Sequence, residues 1–214
     1  MLKINSFTFN PFSENTYVLS DETAECIIVD PGCYDEAEKM KLATFIDAQG
    51  LKPVKILLTH AHIDHVLGIN FLSGKYNLPL VMNYTEIELL KSAPVYGQMW
   101  GIKAEPSPEP TEFLKDGDIF TFGTTELEVL FTPGHSQGSM SYFHRQSKQL
   151  LSGDVLFYES IGRTDLPGGN FDTLKKSIQE KIYTLDDEVI VYSGHGQSTT
   201  VGHEKRNNPF VSGK

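Results

Sequence analysis

The sequence predicts an α/β protein in which two mixed β-sheets pack face to face with helices on the outside. Two observations lead to this fold class. Each half of the 214-residue chain carries several short β-rich segments. Each half also carries, after such segments, a segment whose apolar residues recur at helical spacing. The length suffices for a sizeable core and does not require a second domain, so we expect a single domain over 1–214.

In the first half, alternation and compact apolar runs predict short strands, and apolar residues at intervals of three and four predict helices. Cys26 belongs to one of these strands, and Gly50 marks the end of the first helix. The predicted strands span 2–9, 15–19, 26–29, 55–59 and 78–82, and the predicted helices span 35–49, 66–72 and 84–91.

The segment 92–110 breaks this pattern, because it carries prolines and glycines that a long helix or a central strand does not accommodate. It also carries Tyr96, Met99 and Trp100, which favours a long ordered loop or a lid over a linker. A plain surface loop that covers the edge of the core is the alternative interpretation.

The second half repeats the strand pattern, with turn residues between β-rich segments. Asn170 is the expected cap of the one helix predicted there. The predicted strands span 118–122, 126–132, 139–144, 149–152 and 188–192, and the predicted helix spans 170–183.

Composition excludes several classes of function. The net charge of −10 argues against a nucleic-acid partner, which normally requires a basic face. The chain contains no apolar run of membrane-spanning length and no signal-peptide core at its start, so we expect a cytoplasmic protein. Two cysteines do not form a disulfide framework in a chain of this size.

The most informative stretch is the run 59–65, where a predicted strand meets a predicted helix. It sets His60, His62, Asp64 and His65 within six consecutive positions. Single histidines are usually surface or core residues, but four donors this close indicate a metal site. We expect His60 and His62 to point the same way, and Asp64 and His65 to begin the following helix and face a second position.

Three later residues share the context of this run. His135, Asp154 and His195 each follow a predicted strand and a glycine, which lets the backbone turn sharply. Each side chain can therefore project from a sheet edge into a common cleft. Together with the first four, they supply enough donors for two metals with open positions, and a carboxylate is the natural bridge between the metals.

In this order and spacing, the motifs His-x-His-x-Asp-His, Pro-Gly-His, Gly-Asp and Gly-His closely resemble those of the metallo-β-lactamase-fold superfamily, and within it the short glyoxalase II-like hydrolases. The resemblance covers nearly the whole chain. It implies a four-layer αββα sandwich with the metals at one edge.

The resemblance also implies roles for individual residues. It assigns one metal to His60, His62 and His135, and the other to Asp64, His65 and His195, with Asp154 as the bridge. Two divalent ions are implied; zinc is favoured, and iron and manganese also suit these donors. Asp30 matches an aspartate that orients the ligands in this family.

Two histidines remain outside this assignment. We expect His144, beside Arg145 in a strand-like run, to be exposed rather than a ligand. We expect His203 to help hold the C-terminal segment.

The implied activity is hydrolysis of an acyl thioester by a metal-bridging hydroxide, with Asp64 orienting the nucleophile or accepting its proton. The expected partner is a small-molecule acyl thioester, with glutathione-derived thioesters among the candidates, and the sequence leaves the oligomeric state open. Classical glyoxalase II enzymes carry a further helical domain that supplies glutathione contacts, and we expect this protein to bind its substrate without such a domain. Arg163 then either pairs with a substrate carboxylate or forms a structural pair with Asp165.

Two other activities stay open on the same scaffold. Iron-dependent persulfide dioxygenases resemble this chain in the ligand motifs and share Gly-Arg-Thr-Asp, found here at 162–165. Lactone hydrolysis is a neighbouring hydrolase activity. A non-catalytic metal-binding module is disfavoured, because the full set of candidate ligands is present, whereas a site without catalytic activity would tolerate the loss of a ligand.

Overall fold

Two mixed β-sheets account for most of the strands in the computed structural model, which describes residues 1–213. In the first sheet, the three leading strands are antiparallel neighbours, and the third, fourth and fifth are parallel. Its strands, in spatial order, are β1 (Lys3–Phe9), β2 (Glu14–Ser20), β3 (Glu25–Val29), β4 (Lys52–Leu57), β5 (Leu80–Asn83) and β6 (Glu112–Leu114).

Three helices pack on this sheet through buried apolar residues. They are α1 (Glu36–Ala48), α2 (Ile69–Tyr76) and α3 (Ile87–Trp100). Leu42 of α1 and Leu72 of α2 belong to the same buried cluster as Ile28 of β3 and Ile56 of β4. Burial of these faces, rather than intrinsic propensity, supplies most of the stability of such helices.

The structure corrects two local predictions in this half. The expected loop or lid over 92–110 is wrong for 92–100, because α3 continues to Trp100 with Pro94 inside it. Pro94 removes one intrahelical hydrogen bond, but Leu90 and Ala93 are buried in the core, and this burial offsets the loss. Likewise, Asp64 and His65 do not begin α2. They lie in a separate 3₁₀ turn, Ile63–His65.

The second sheet is also mixed. The strands Gln149–Gly153 and Ile190–Ser193 pair in parallel, and three other neighbouring pairs of this sheet are antiparallel. In chain order its strands are β7 (Ile119–Phe122), β8 (Thr125–Phe131), β9 (Met140–His144), β10 (Gln149–Gly153), β13 (Ile190–Ser193) and β14 (Thr199–Thr200), and a separate hairpin is formed by β11 (Leu156–Phe157) and β12 (Ser160–Ile161).

The helix predicted over 170–183 consists of α4 (Phe171–Ser177) followed by a π-helical turn over Ile178–Ile182. Asn170 caps α4 as expected. A further helix, α5 (Val201–Asn207), was not predicted. Apolar residues of these helices share a buried cluster with residues of β10 and β13, so helices flank the second sheet as well. The predicted α/β class with two mixed sheets and flanking helices is confirmed.

The expectation that His144 is exposed is wrong. His144 ends β9, which lies between β8 and β10, and every residue of this strand is buried. His144 is buried because its strand lies inside the sheet. The polar neighbour Arg145 suggested an exposed position, but a sequence neighbour does not show where a strand lies in a sheet.

The chain divides into two compact units. The first unit holds Met1–Phe113 with Thr121–Thr125, and the second holds Leu114–Phe120 and the chain from Glu126 on. The single domain over 1–214 stays a prediction. Among residues 1–213, no helix has the length and apolar character needed to cross a membrane.

Candidate metal centre

The first unit gathers four of the predicted donors in the turn that follows β4. The ring centroids of His60 and His62 are 4.9 Å apart, and those of His60 and His65 are 4.1 Å apart. The His65 Nε2 atom lies 3.7 Å from the nearer carboxylate oxygen of Asp64. The run 60–65 therefore does form one donor cluster.

Asp30 reaches this cluster because β3 and β4 are parallel neighbours. Val29 pairs with Leu57, so the residues that follow both strands leave the sheet at the same edge. The carboxylate of Asp30 accepts the backbone N–H of Thr59 at 2.7 Å and its hydroxyl at 2.6 Å. The same carboxylate lies 3.2 Å from the Nδ1 atom of His65.

These contacts assign the tautomers of two histidines. An ionised carboxylate only accepts hydrogen bonds, so His65 donates from Nδ1 and leaves the lone pair on Nε2. The Thr59 hydroxyl gives its proton to Asp30, and its oxygen lies 3.1 Å from the Nδ1 atom of His60, from which it can only accept. Both imidazoles are thereby set to bind a metal through Nε2.

Two polar residues that the sequence did not single out hold the backbone of this turn. The Asn10 side chain donates to the carbonyls of Gly32 and Asp64, at 3.0 and 2.9 Å. Buried Glu86 accepts the N–H of Ala61, between the first two histidines, at 2.9 Å. These contacts span 22 to 54 residues of sequence, and no local motif marks them.

A third unpredicted residue, Glu14, is fully buried beside the cluster. Its Oε1 atom lies 4.0 Å from the Nδ1 atom of His65, and its Oε2 atom lies 2.9 Å from the Thr16 hydroxyl. Burial raises the pKa of the Glu14 carboxyl well above its usual range, although neighbouring His65 opposes this shift.

The second unit gathers the other three predicted donors at one edge of its sheet. β10 and β13 are parallel, and Gly153 pairs with Ser193, so Asp154 and His195 follow the carboxyl ends of neighbouring strands. One carboxylate oxygen of Asp154 lies 3.5 Å from the Nε2 atom of His135 and 3.4 Å from that of His195. A carboxylate placed between two imidazoles in this way suits a bridging ligand.

Arg163 contributes to this unit through its backbone. Its carbonyl lies 2.8 Å from the Nδ1 atom of His135. A carbonyl only accepts, so His135 donates from Nδ1 and leaves its lone pair on Nε2. The sequence pointed to the Arg163 side chain and missed this contact.

The guanidinium of Arg163 forms the structural pair that was one of the two predicted alternatives. It donates two hydrogen bonds to Asp165, both of 2.8 Å. This pairing lowers the pKa of the Asp165 carboxyl to about 2. Both side chains are largely exposed, so the pair contributes little to stability.

Two glycines allow the close packing around His135. Gly134 has a φ of +130°, and a Cβ atom there would lie 2.2 Å from the backbone nitrogen of Leu174. A Cβ atom at Gly162 would lie 1.9 Å from the carbonyl oxygen of Asp154. Side chains at these positions would displace the two turns that carry His135 and Asp154.

The chemistry of both donor sets fits divalent metals. The first unit offers three imidazoles and the Asp64 carboxylate, and the second offers two imidazoles and the Asp154 carboxylate. Nitrogen and oxygen donors of this kind suit zinc, iron and manganese. Neither cysteine belongs to these donor sets. Both are buried free thiols, and burial raises the pKa of each thiol to about 12.

The sequence matches the family described as the metallo-β-lactamase superfamily over residues 9–195. The chain belongs to the metallo-β-lactamase superfamily. This membership confirms the predicted resemblance and fold, and it makes the chain a member of a superfamily of metallo-hydrolases.

Two curated relatives of this superfamily member align over essentially their full length. The chain is 40% identical to the probable metallo-hydrolase YqgX of Bacillus subtilis (strain 168) over 213 residues, which cover 99% of each chain. It is 34% identical to the hydroxyacylglutathione hydrolase GloC of Haemophilus influenzae over 215 residues, which cover 100% of each.

Solved structures of the superfamily agree with the fold. The BLEG-1 B3 metallo-β-lactamase has a TM-score of 0.90 at 37% identity, with 100% of both chains covered. TTHA1623, solved in a di-iron-bound form, has a TM-score of 0.87 at 36% identity, with 97% of this chain and 100% of that chain covered. Together with the His/Asp clusters, the di-iron neighbour indicates divalent metals here.

Proposed function

We propose that this superfamily member is a thioester hydrolase of the hydroxyacylglutathione hydrolase type, which acts with two divalent metals. The observation that carries the proposal is the pair of donor sets, in which His60, His65 and His135 each leave Nε2 as the metal-binding atom. The ligands that we propose are His60, His62 and His135 for one metal, Asp64, His65 and His195 for the other, and Asp154 as the bridge.

Bound metals would supply an activated water and polarise the carbonyl of the substrate. The residues of the chain orient this chemistry. We assign Asp64 the role of positioning the attacking water and accepting its proton, because its carboxylate lies in the same turn as the three imidazoles. Asp30 keeps the imidazoles aligned through Thr59 and its own contact with His65.

The substrate class rests on the relative GloC, which is named a hydroxyacylglutathione hydrolase and aligns over the whole chain. A thioester is also a chemically suitable target, because a thiolate is a good leaving group. Zinc is our proposed metal on the chemistry of the donors. Iron is the competing choice, because TTHA1623 was solved with two iron ions.

A persulfide dioxygenase is the second candidate, since the segment 162–165 carries the Gly-Arg-Thr-Asp that those enzymes share. The two activities differ in metal content and in the need for oxygen. A lactonase would share the metals and the hydrolytic step with a thioesterase, and only the substrate would differ.

The deciding experiment combines metal analysis with a substrate panel. Purified protein is assayed with S-lactoylglutathione, a lactone, a β-lactam and glutathione persulfide, and oxygen uptake is recorded for the last. Two bound metals with thioester cleavage are expected. One iron with persulfide-dependent oxygen uptake and no thioester cleavage would refute the proposal.

Asp154→Ala tests the bridging role in the same assay, with Asp172→Ala, an exposed residue of α4, as the control. Loss of a metal ligand should lower activity by more than the roughly 10- to 100-fold that is typical when a residue that only hydrogen-bonds to a ligand is replaced. Full activity in Asp154→Ala would contradict the bridging role, whereas Asp172→Ala should retain activity.

A further inference from the structure

A cavity of about 620 Å³ opens in the first unit, between the start of α1, the start of α2 and the segment 101–111. This volume lies within the range of small-molecule sites. Two hydrogen bonds secure its wall. The Lys103 N–H donates to the Tyr34 hydroxyl at 3.1 Å, and the Asn70 side chain donates to the Pro106 carbonyl at 2.9 Å.

Two opposite charges line this cavity without being paired. Glu36 and Lys39 are one turn apart on α1, a spacing at which acidic and basic side chains commonly form an ion pair. Within residues 1–213, neither side chain forms an ion pair or a hydrogen bond. Both charges therefore remain available to a ligand.

The other charged residues around the cavity already have partners. The Asp35 carboxylate accepts the N–H of Glu38 at 2.8 Å as the cap of α1. The Nζ atom of Lys103 lies 3.9 Å from the Oε1 atom of Glu105. A ligand could therefore contact the Glu36 and Lys39 charges without displacing another side chain, and it would also meet the apolar side chains of Leu67 and Phe71.

The cavity adjoins the turn that holds the metal donors of the first unit and the turn that holds Asp30, which orients them. Leu67 follows His65 by two residues, and Tyr34 follows Asp30 by four. The N–H of Gly68 donates to the Pro31 carbonyl at 2.7 Å and joins the two turns. Both turns leave the carboxyl ends of parallel strands, the edge at which α/β sheets bind ligands.

We propose that this cavity binds the amino-acid end of the thiol carrier, with its α-carboxylate at Lys39 and its α-ammonium at Glu36. The preferred substrates are then acyl thioesters of zwitterionic peptide thiols, and carriers without an amino-acid end are poorer substrates. This inference rests on the proposed thioesterase function.

Kinetics of the metal-loaded protein test the cavity. Lys39→Ala and Glu36→Gln should each raise KM for S-lactoylglutathione by roughly three- to fivefold, the effect of one partly exposed ion pair, and leave kcat unchanged. The same variants should not change KM for a neutral short-chain thioester. Blocking the α-amine of the glutathione thioester by acetylation should raise KM for wild type and have little further effect in Glu36→Gln.

Lys41→Ala is the matched control, because Lys41 lies on the same helix but packs over the rings of Phe7 and Phe9. It should leave KM unchanged. The charge exchange Glu36→Lys with Lys39→Glu should restore part of the affinity, because a zwitterion can bind in the opposite sense. Equal KM changes for the charged and the neutral thioester, or for Lys39→Ala and Lys41→Ala, would overturn the inference.

Calorimetry with S-methylglutathione, which cannot be hydrolysed, separates the two proposals. Weaker binding in Lys39→Ala but not in Lys41→Ala supports the cavity, even if wild type cleaves no thioester and the proposed function fails. Thioester cleavage with equal binding in all variants refutes the cavity and leaves the proposed function intact.

Discussion

Asp30 shows how one side chain can prepare several metal ligands. Its carboxylate is 1% exposed and accepts from Thr59 and His65. Its backbone has a φ of +49°, in the left-handed region that aspartate and asparagine tolerate better than most residues. Backbone geometry and hydrogen bonding therefore both restrict the residue at this position.

Replacing Asp30 by Asn keeps this backbone but introduces an amide N–H₂ group that cannot accept hydrogen bonds. His65 would then lose the acceptor that holds its proton on Nδ1, and Nε2 would be less available to a metal. We expect Asp30→Asn to lower metal affinity by about 10- to 100-fold. Competition with a chromophoric chelator measures this loss.

Asp35→Asn is the control, because Asp35 caps α1 and asparagine caps a helix equally well. Its metal affinity should equal that of wild type. An unchanged affinity in Asp30→Asn would show that the tautomer of His65 does not depend on this carboxylate.

His144 makes stability depend on pH. Burial lowers the pKa of its imidazole below the ordinary value of 6.5, so the unfolded chain binds this proton more readily than the folded one. The contribution of neutral His144 to stability is present above pH 6.5 and is lost as the pH falls toward the lowered folded pKa. Urea unfolding between pH 7.5 and pH 5 should show the decline.

His144→Gln should unfold with a flatter pH dependence over this window, because the neutral side chain does not titrate. The comparison with wild type removes the contribution of the other histidines. Identical pH profiles would mean that the titration of His144 is not linked to folding.

At the scale of secondary-structure elements, the N-terminal end of α4 helps to hold the turn that carries His135. Asn170 caps α4 by accepting the N–H of Thr173 at 2.8 Å, and its own N–H donates to the Gly134 carbonyl at 2.8 Å. The cap therefore joins the start of α4 to the turn that presents His135. The sequence predicted the cap, because Asn before an apolar helical pattern is a local signal.

We expect Asn170→Ala to destabilise the protein by about 1 kcal/mol, because it leaves a backbone N–H of the first turn without its side-chain acceptor. Denaturant unfolding at constant m-value measures the change. Asn170→Asp keeps the accepting oxygen and should retain the stability. A loss of equal size in both variants would place the effect outside the cap.

At the scale of the whole molecule, metal binding and folding are linked. Asp154 and His195 become neighbours, and Asp30 reaches the 60–65 turn, only when strands that are distant in the sequence pair in the sheets, so the proposed metals would bind the folded chain far better than the unfolded one. The net charge of −10 adds a general attraction for cations.

Removing the metal with a chelator should therefore lower Tm, by about 5–10 °C relative to protein held at a hundredfold excess of free metal over Kd. Thermal unfolding followed by circular dichroism measures the shift. Asp154→Ala should show a much smaller shift. A Tm that does not change with metal would argue against the proposed centre.

The sequence predicted the main strands and helices, and the turns after which the donors follow. These features depend on the local period of apolar residues and on turn residues, which act over a few positions. The short strands β6, β11, β12 and β14 were not predicted, because a strand of two or three residues shows too little periodicity in its sequence. The continuation of α3 past Pro94 was not predicted either, because burial in the core outweighed the effect of a local helix breaker.

By itself, the sequence determined the family motifs, the identities of the candidate donors and the strands that precede them. Only the tertiary structure decided how those donors are held. Asn10, Glu86 and the Arg163 carbonyl act on residues far away in the sequence, and His144 is buried by neighbouring strands. Hydrogen-bond partners and burial depend on which segments the fold brings together, and no local pattern records them.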